Sequence, residues 1–213
     1  DWWVRSRAAD ALAKIGGPRV IEASLELIRD PNEDIRRAAI EILNQTKDER
    51  AVDQLLDATR DRDWWVSERA VDALAEIGSR KAVPRLIEML QGGPAKALPI
   101  VVRALGKLGD NRTIDPILAV MQTRKEKEVQ VEVVHALARL ADDKRVEHIR
   151  IQLESQVTGS NDPTVARAAT GALEELQRRF ATGAIEVADQ SGNRSSPQAS
   201  ATREMGARDA PPR

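Results

Sequence analysis

Apolar residues near the start of the chain fall at Val4, Ala8, Ala11, Leu12 and Ile15, steps that place them on one face of an α-helix. Gly16-Gly17 closes that pattern, because glycine adopts the left-handed C′ conformation without a Cβ penalty. Pro18 then suits the first turn of a new helix. The second helix carries Val20, Ile21, Leu25 and Ile28 and stops near Asp30-Pro31. Ile35, Ala39, Ile42 and Leu43 mark a third, and Val52, Leu55 and Leu56 a fourth. Val66, Ala70, Ala73, Leu74 and Ile77 mark a fifth, and Val83, Leu86, Ile87 and Leu90 a sixth. Leu74 is expected to lie buried between three helices.

These helices recur at a fixed offset. Asp63–Gly78 (DWWVSERAVDALAEIG) repeats Asp1–Gly16 (DWWVRSRAADALAKIG) at 12 of 16 positions, 62 residues on. A weaker copy lies halfway, with Ile35, Ala39 and Leu43 each 31 residues after Val4, Ala8 and Leu12 and 31 before Val66, Ala70 and Leu74. Leu105, Leu108 and Gly109 continue the step of 31, and Leu137 and Leu140 follow after 32. A period of about 30 residues carried by apolar positions predicts a repeat array, in which each unit buries its apolar face only against its neighbours.

The fourth unit departs from the pattern. Gly92-Gly93-Pro94 opens it, and Pro99 falls where a helix interior is expected, so the helix starts or kinks there. Ile114, Ile117, Leu118 and Met121 complete that unit, and the fifth runs from Lys127 to Leu153. Val157–Asn161 reads as an insertion, and Asp162-Pro163 as N-cap and first residue of a last helix through Ala169, Ala172, Leu176 and Phe180. Ser191–Arg213 is rich in Ser, Pro, Gly, Ala and Arg and cannot bury enough surface to offset its ordering entropy. The expected organisation is a repeat array over residues 1–180 and a disordered tail or interdomain linker over 181–213. The chain starts inside a repeat and without Met, and reads as a segment of something longer.

Composition narrows the function classes. Lys plus Arg is 33 against 34 for Asp plus Glu, which lacks the basic excess of a nucleic-acid binder. With no cysteine, disulfides and thiolate metal sites are out, and a cytoplasmic setting is expected. No apolar run approaches the 18 or so residues of a membrane span. One Phe, no Tyr and two adjacent Trp pairs leave the core to Ala, Leu, Ile and Val, which suits close-packed helices.

The turn-and-helix unit Asp30-(x4)-Ile35-Arg36-(x)-Ala38-Ala39-(x3)-Leu43, with its copy ending Ala73-Leu74-(x2)-Ile77-Gly78, resembles HEAT-like repeats, in particular the bacterial subtype named after phycocyanobilin lyases. The resemblance covers residues 1 to about 180. It implies an all-α fold, a right-handed α-solenoid of about five to six HEAT-like helical hairpins. It also implies a buried ladder between units, made by an Asp in the turn and an Arg six residues later. Asp30 and Arg36 match that spacing; Asp61 keeps the Asp, but Ser67 replaces the Arg, and the next unit has Gln91 and Ala97-Leu98 and neither charge. The ladder is expected to weaken there. Similar arrays with an Asp-Trp-Trp-Val turn occur attached to bacterial serine/threonine kinases.

Enzymes built on such repeats make demands that can be checked. The di-iron hydroxylases use repeated His-Glu pairs, whereas His135 and His148 are the only histidines and neither precedes Glu, so no catalytic, metal or cofactor site is expected. The alkylpurine glycosylases use Trp and Asp in a basic groove. Trp64, Trp65 and Asp72 supply the residue types, but Glu68, Asp72 and Glu76 make the surroundings acidic. A bilin-lyase-type enzyme subunit and a nucleic-acid binder stand as alternatives to the main expectation, a protein-interaction scaffold within a larger bacterial protein. The expected site is a stripe of one residue per repeat, ten residues into the first helix of each and away from its buried face: Asp10, Glu41, Asp72, Arg103 and His135. It is acidic over three units and then basic or titratable, with Trp64 or Trp65 as an aromatic anchor at its rim. The plain alternative is a solvated charged face with one Trp of each pair packed across its turn.

Overall fold

The computed structural model describes residues 2–191. Eleven α-helices follow one another among them: α1 Trp2–Ile15, α2 Pro18–Leu27, α3 Glu33–Thr46, α4 Val52–Ala58, α5 Trp64–Ile77, α6 Val83–Gly92, α7 Leu98–Leu108, α8 Ile114–Thr123, α9 Lys127–Leu140, α10 Val146–Gly159 and α11 Pro163–Ser191. The fold is an all-α solenoid. The chain divides into two units, Asp1–Gln177, which holds the array, and Arg178–Arg213. The boundary expected at residue 180 falls inside α11, and residues 192–213, part of the expected tail, lie outside the described residues.

Local chemistry sets the helix ends. Asp63 caps α5 by accepting from the N–H groups of Trp65 and Val66, and Asn32 caps α3 by accepting from that of Asp34. Asp162 accepts from the N–H of Thr164 at 2.7 Å, one residue after Pro163 opens α11. Gly16, Gly78 and Gly109 close α1, α5 and α7 with positive φ. At the same register position α3 ends on Lys47, which takes the left-handed conformation at φ 52° despite its side chain. Pro99 is accommodated because α7 begins at Leu98, after a short 3-10 turn over Ala95–Ala97, so the proline sits in the first turn and no kink is needed. The residues that read as an insertion after Val157 are in large part the end of α10, which runs to Gly159 and spans 14 residues against 10 for α8.

The odd-numbered helices stack in series, α1 on α3, α3 on α5, α5 on α7 and α7 on α9. Each of α2, α4, α6 and α8 packs against the odd-numbered helix that follows it. The apolar face of α5 is therefore closed by α3, α4 and α7, and Val66, Ala70, Val71, Ala73 and Leu74 are fully buried. Their small size matters as much as their apolarity. Between α7 and α9 the backbones come so close that a Cβ on Gly106 would lie 2.8 Å from Cα and Cβ of Ala136. At the other extreme, no helix among the described residues covers α1 in the way α4 covers α5. Val4 is 57% and Ile15 75% exposed, while Val66, the counterpart of Val4, is fully buried and Ile77, that of Ile15, is partly covered.

Two outcomes follow from this packing. Alanine at Gly106 and at Gly92 has opposite effects. Gly106→Ala destabilises by about 1–3 kcal/mol in urea titration because two helices must separate. Gly92→Ala, with nothing within 4 Å of its Cβ, is neutral or stabilising by up to about 1 kcal/mol through helix propensity. Hydrogen exchange also distinguishes the ends of the array: amides of α1 exchange faster than those of α5, and equal protection would mean that α1 is covered in solution.

Candidate protein-interaction surface

The two tryptophans of α5 are placed by Asp63. Its carboxylate accepts from Trp65 N–H at 2.9 Å and is held from the preceding repeat by Arg37, whose guanidinium approaches to 2.6 Å. Burial opposes the charge, but the bonds from Arg37 and the helix N–H groups hold the Asp63 carboxyl below the ordinary carboxylate range. Trp65 is half-buried, with the Arg69 guanidinium 5.4 Å from its ring centroid. The same pairing recurs in α1, where Arg7 lies 5.5 Å from the Trp3 ring. Trp64 turns outward, 52% exposed, and Lys96 from the 3-10 turn before α7 lies 4.9 Å from its ring centroid.

The stripe residues lie on α1, α3, α5, α7 and α9, and Gln45 and Arg69 tie the first three into one network, while Arg103 pairs separately. Gln45 donates to Asp10 at 3.0 Å and to Glu41 at 3.2 Å. Arg69 lies 3.7 Å from Glu41 and donates to Asp72 at 3.3 Å. Arg103 binds Glu132 of the next repeat through Nε at 3.0 Å. His135 is exposed on α9. Beside the stripe, Glu76 is held between Lys47 at 2.7 Å and Lys107 at 2.5 Å. The two ammonium groups, Lys107 first, lower the Glu76 carboxyl to about 2. Asp10 and Glu41 are thus engaged by residues about one repeat away, and Asp72 by Arg69 of its own helix.

The ladder residues meet across the boundary between repeats. Arg36 donates through two nitrogens to the Asp61 carboxylate, at 2.7 and 2.9 Å, and through a third to the backbone oxygens of Asp30 and Pro31. Asp30 thus contributes its carbonyl to the arginine and gives its carboxylate to Asn32 N–H. The pair is buried, with side chains 7% and 12% exposed.

One repeat further on, where the ladder lapses, a cavity of about 530 Å³ opens beside Trp64. Sequence reasoning did not find Arg85 and Lys96 on its wall. The available signal was the loss of both ladder charges, which removes side-chain volume as well as an ion pair. Among the described residues no group of His, Cys, Asp and Glu has the arrangement of a metal site, and no helix is long and apolar enough to cross a membrane.

Comparisons with known proteins agree with this architecture. The model for HEAT repeats matches residues 21–98, and that for the PBS lyase HEAT-like repeat matches residues 4–23 and 100–123. No curated protein matches the chain by sequence. Among solved structures, the complex of CpcE and CpcF of phycocyanin lyase from Nostoc sp. PCC7120 is similar with a TM-score of 0.64 at 20% identity, over 84% of this chain and 73% of that one. An engineered protein is similar at TM-score 0.54 and 20% identity, over 84% and 92% of the two chains. A designed armadillo repeat protein follows at 0.51 and 18%, over 80% and 92%.

Acid should expose the Glu76 bridge. Because its folded carboxyl is depressed from 4.5 to about 2, its contribution is complete above about pH 5 and is lost as pH falls through that interval. Urea midpoints of wild type and Glu76→Gln therefore differ at neutral pH and converge near pH 2; a constant difference would show that the two lysines do not act through the charge.

Proposed function

We propose that this chain, a HEAT-repeat protein with units of the PBS lyase HEAT-like type, is a protein-interaction scaffold, a docking or regulatory segment of a larger bacterial cytoplasmic protein. The observation that carries the reading is Trp64. It is a large aromatic left half-exposed at a fixed point of an array whose other bulky apolar side chains in α3, α5, α7 and α9 are mostly buried. Tryptophan is over-represented among residues that dominate interface energies, and its indole here is held by a capped helix. A partner segment lies along the stripe Asp10, Glu41, Asp72, Arg103 and His135, with Trp64 and Trp65 at its rim. The ion pairs of that stripe do not prevent this, since exposed pairs are each worth about 0.2–1 kcal/mol and exchange partners readily.

A second reading, a bilin-lyase-type subunit, is favoured by the likeness to the CpcE–CpcF complex. In that case co-expression with a bilin and an acceptor protein yields a pigmented product with a new absorbance band, and colourless acceptor excludes it.

The scaffold reading is tested by capturing a partner with the immobilised chain and measuring kinetics on variants. Trp64→Ala speeds dissociation by about tenfold or more. Glu41→Lys with Asp72→Lys slows association and alters its salt dependence, because charge complementarity acts mainly on encounter. A partner indifferent to all three changes binds elsewhere.

A further inference from the structure

Two cavities occupy the same register position one repeat apart. The earlier one, about 380 Å³, is lined by Arg36, Gln54, Asp57 and Asp61. The later one, about 530 Å³, is lined by the residues 31 positions on: Ser67, Arg85, Glu88 and Gly92. In the earlier cavity the Arg36–Asp61 pair reaches from one repeat to the next. In the later one the arginine is Ser67 and the aspartate is Gly92, so neither side chain reaches across. The Ser67 hydroxyl instead folds back and donates to the Thr59 carbonyl at 2.9 Å. Where the earlier cavity has the neutral Gln54, the later one has Arg85, which leans in and donates to the Thr59 hydroxyl at 2.9 Å and to Glu88 at 3.1 Å. A cation has been added where the ladder carboxylate is missing.

The charge balance at this point departs from that of the chain. Arg60, Arg62, Arg85 and Lys96 line the cavity against Asp61, Glu68 and Glu88. Asp61 is committed to Arg36 of the preceding repeat. Arg62 likewise turns to the preceding repeat and donates to the Pro31 carbonyl. Arg60, Arg85 and Lys96 therefore face Glu68 and Glu88, three cations against two carboxylates, in a protein whose formal net charge is -1. Trp64 forms an apolar wall, with Lys96 over its ring.

We infer that this cavity receives an aspartate or glutamate side chain of a partner polypeptide. The incoming carboxylate takes up beside Arg85 and Lys96 the role that Asp61 has beside Arg36, and the adjoining aliphatic atoms of the partner lie on Trp64. The surplus comes from Arg85, which stands where the preceding repeat has Gln54, and from Lys96, while the lapse of the rung, neutral in charge, goes with the larger volume. The inference rests on the scaffold reading for the identity of the carrier, a protein, and not for the chemistry of the site.

The probe is an end-blocked peptide, acetyl-Gly-Glu-Leu-Glu-amide, titrated while following the Trp64 indole N–H resonance, assigned with Trp64→Phe. The glutamate peptide shifts that resonance saturably. Its glutamine analogue binds at least about tenfold more weakly, as does the glutamate peptide to Arg85→Gln, since charge-assisted bonds contribute about 1.5–3 kcal/mol. Gln54 holds the same position in the preceding repeat, so Arg85→Gln is expected to fold. Ser67→Arg with Gly92→Asp rebuilds the rung; it abolishes binding while the unfolding midpoint holds or rises. Equal binding of the glutamine peptide, wild-type binding by the rebuilt variant, or a response to a thymidine hexanucleotide but not to the peptide each overturns the inference. The rebuilt variant also separates the two readings. If it captures the protein partner as well as wild type does, the scaffold reading stands and the cavity inference falls. If no partner is captured but the peptide binds through Arg85, the cavity stands and the scaffold reading falls.

Discussion

Everything in this array depends on closing one narrow apolar face per repeat between three helices. Leu43, Leu74, Leu105 and Leu137 are fully buried at successive levels, each contributing about 1.5–3 kcal/mol by burial. Ala39, Ala70 and Ala136 beside them keep the helices close enough for that burial to be complete. Because each level is closed only by its neighbours, a helix with one neighbour fewer exposes the same residues. α1 illustrates this: its sequence nearly matches α5, yet Val4 and Ile15 face solvent.

Polar contacts between repeats follow a different logic. Most are exposed pairs, such as Arg69 with Glu41 and Lys47 with Glu76, which contribute little individually. The Arg36–Asp61 pair is another matter. It is shielded from water, and removing either partner strands a buried charge, at a cost of about 3–5 kcal/mol. A rung of that kind is worth keeping only if both residues are present. At the next level both are absent together, at Ser67 and Gly92, so no charge is left unpaired, and the cavity there is the larger of the two.

The sequence and the structure diverge most at the surface. Asp10, Glu41 and Asp72 do lie on successive inner helices as the register requires, but Gln45 and Arg69 bind them. Of the two tryptophans of α5, the outward one is Trp64, and the inner one, Trp65, is flanked by its own helix's Arg69. Lys96, which completes the environment of Trp64, lies 32 residues further along and belongs to a turn that carried no signal of its own.

Helix positions, their caps, the period and the buried face were legible in the amino-acid order alone. Each is a local property of one repeat: apolar spacing within a helix, Gly16 after Ile15, Asp162-Pro163 at the start of the last helix. The tertiary structure decided which side chains about 25–31 residues apart meet, because that depends on the offset between stacked helices and not on any single repeat. Arg36 finds Asp61 instead of the Asp30 carboxylate for this reason. Lys47 adopts a conformation ordinarily left to glycine because the stacked helices on either side determine where its chain must turn. The cavity beside Trp64 was visible in sequence only as two missing charges; its volume and its positive walls arise where residues of the turn between α4 and α5, of α5, of α6 and of the turn before α7 converge in space.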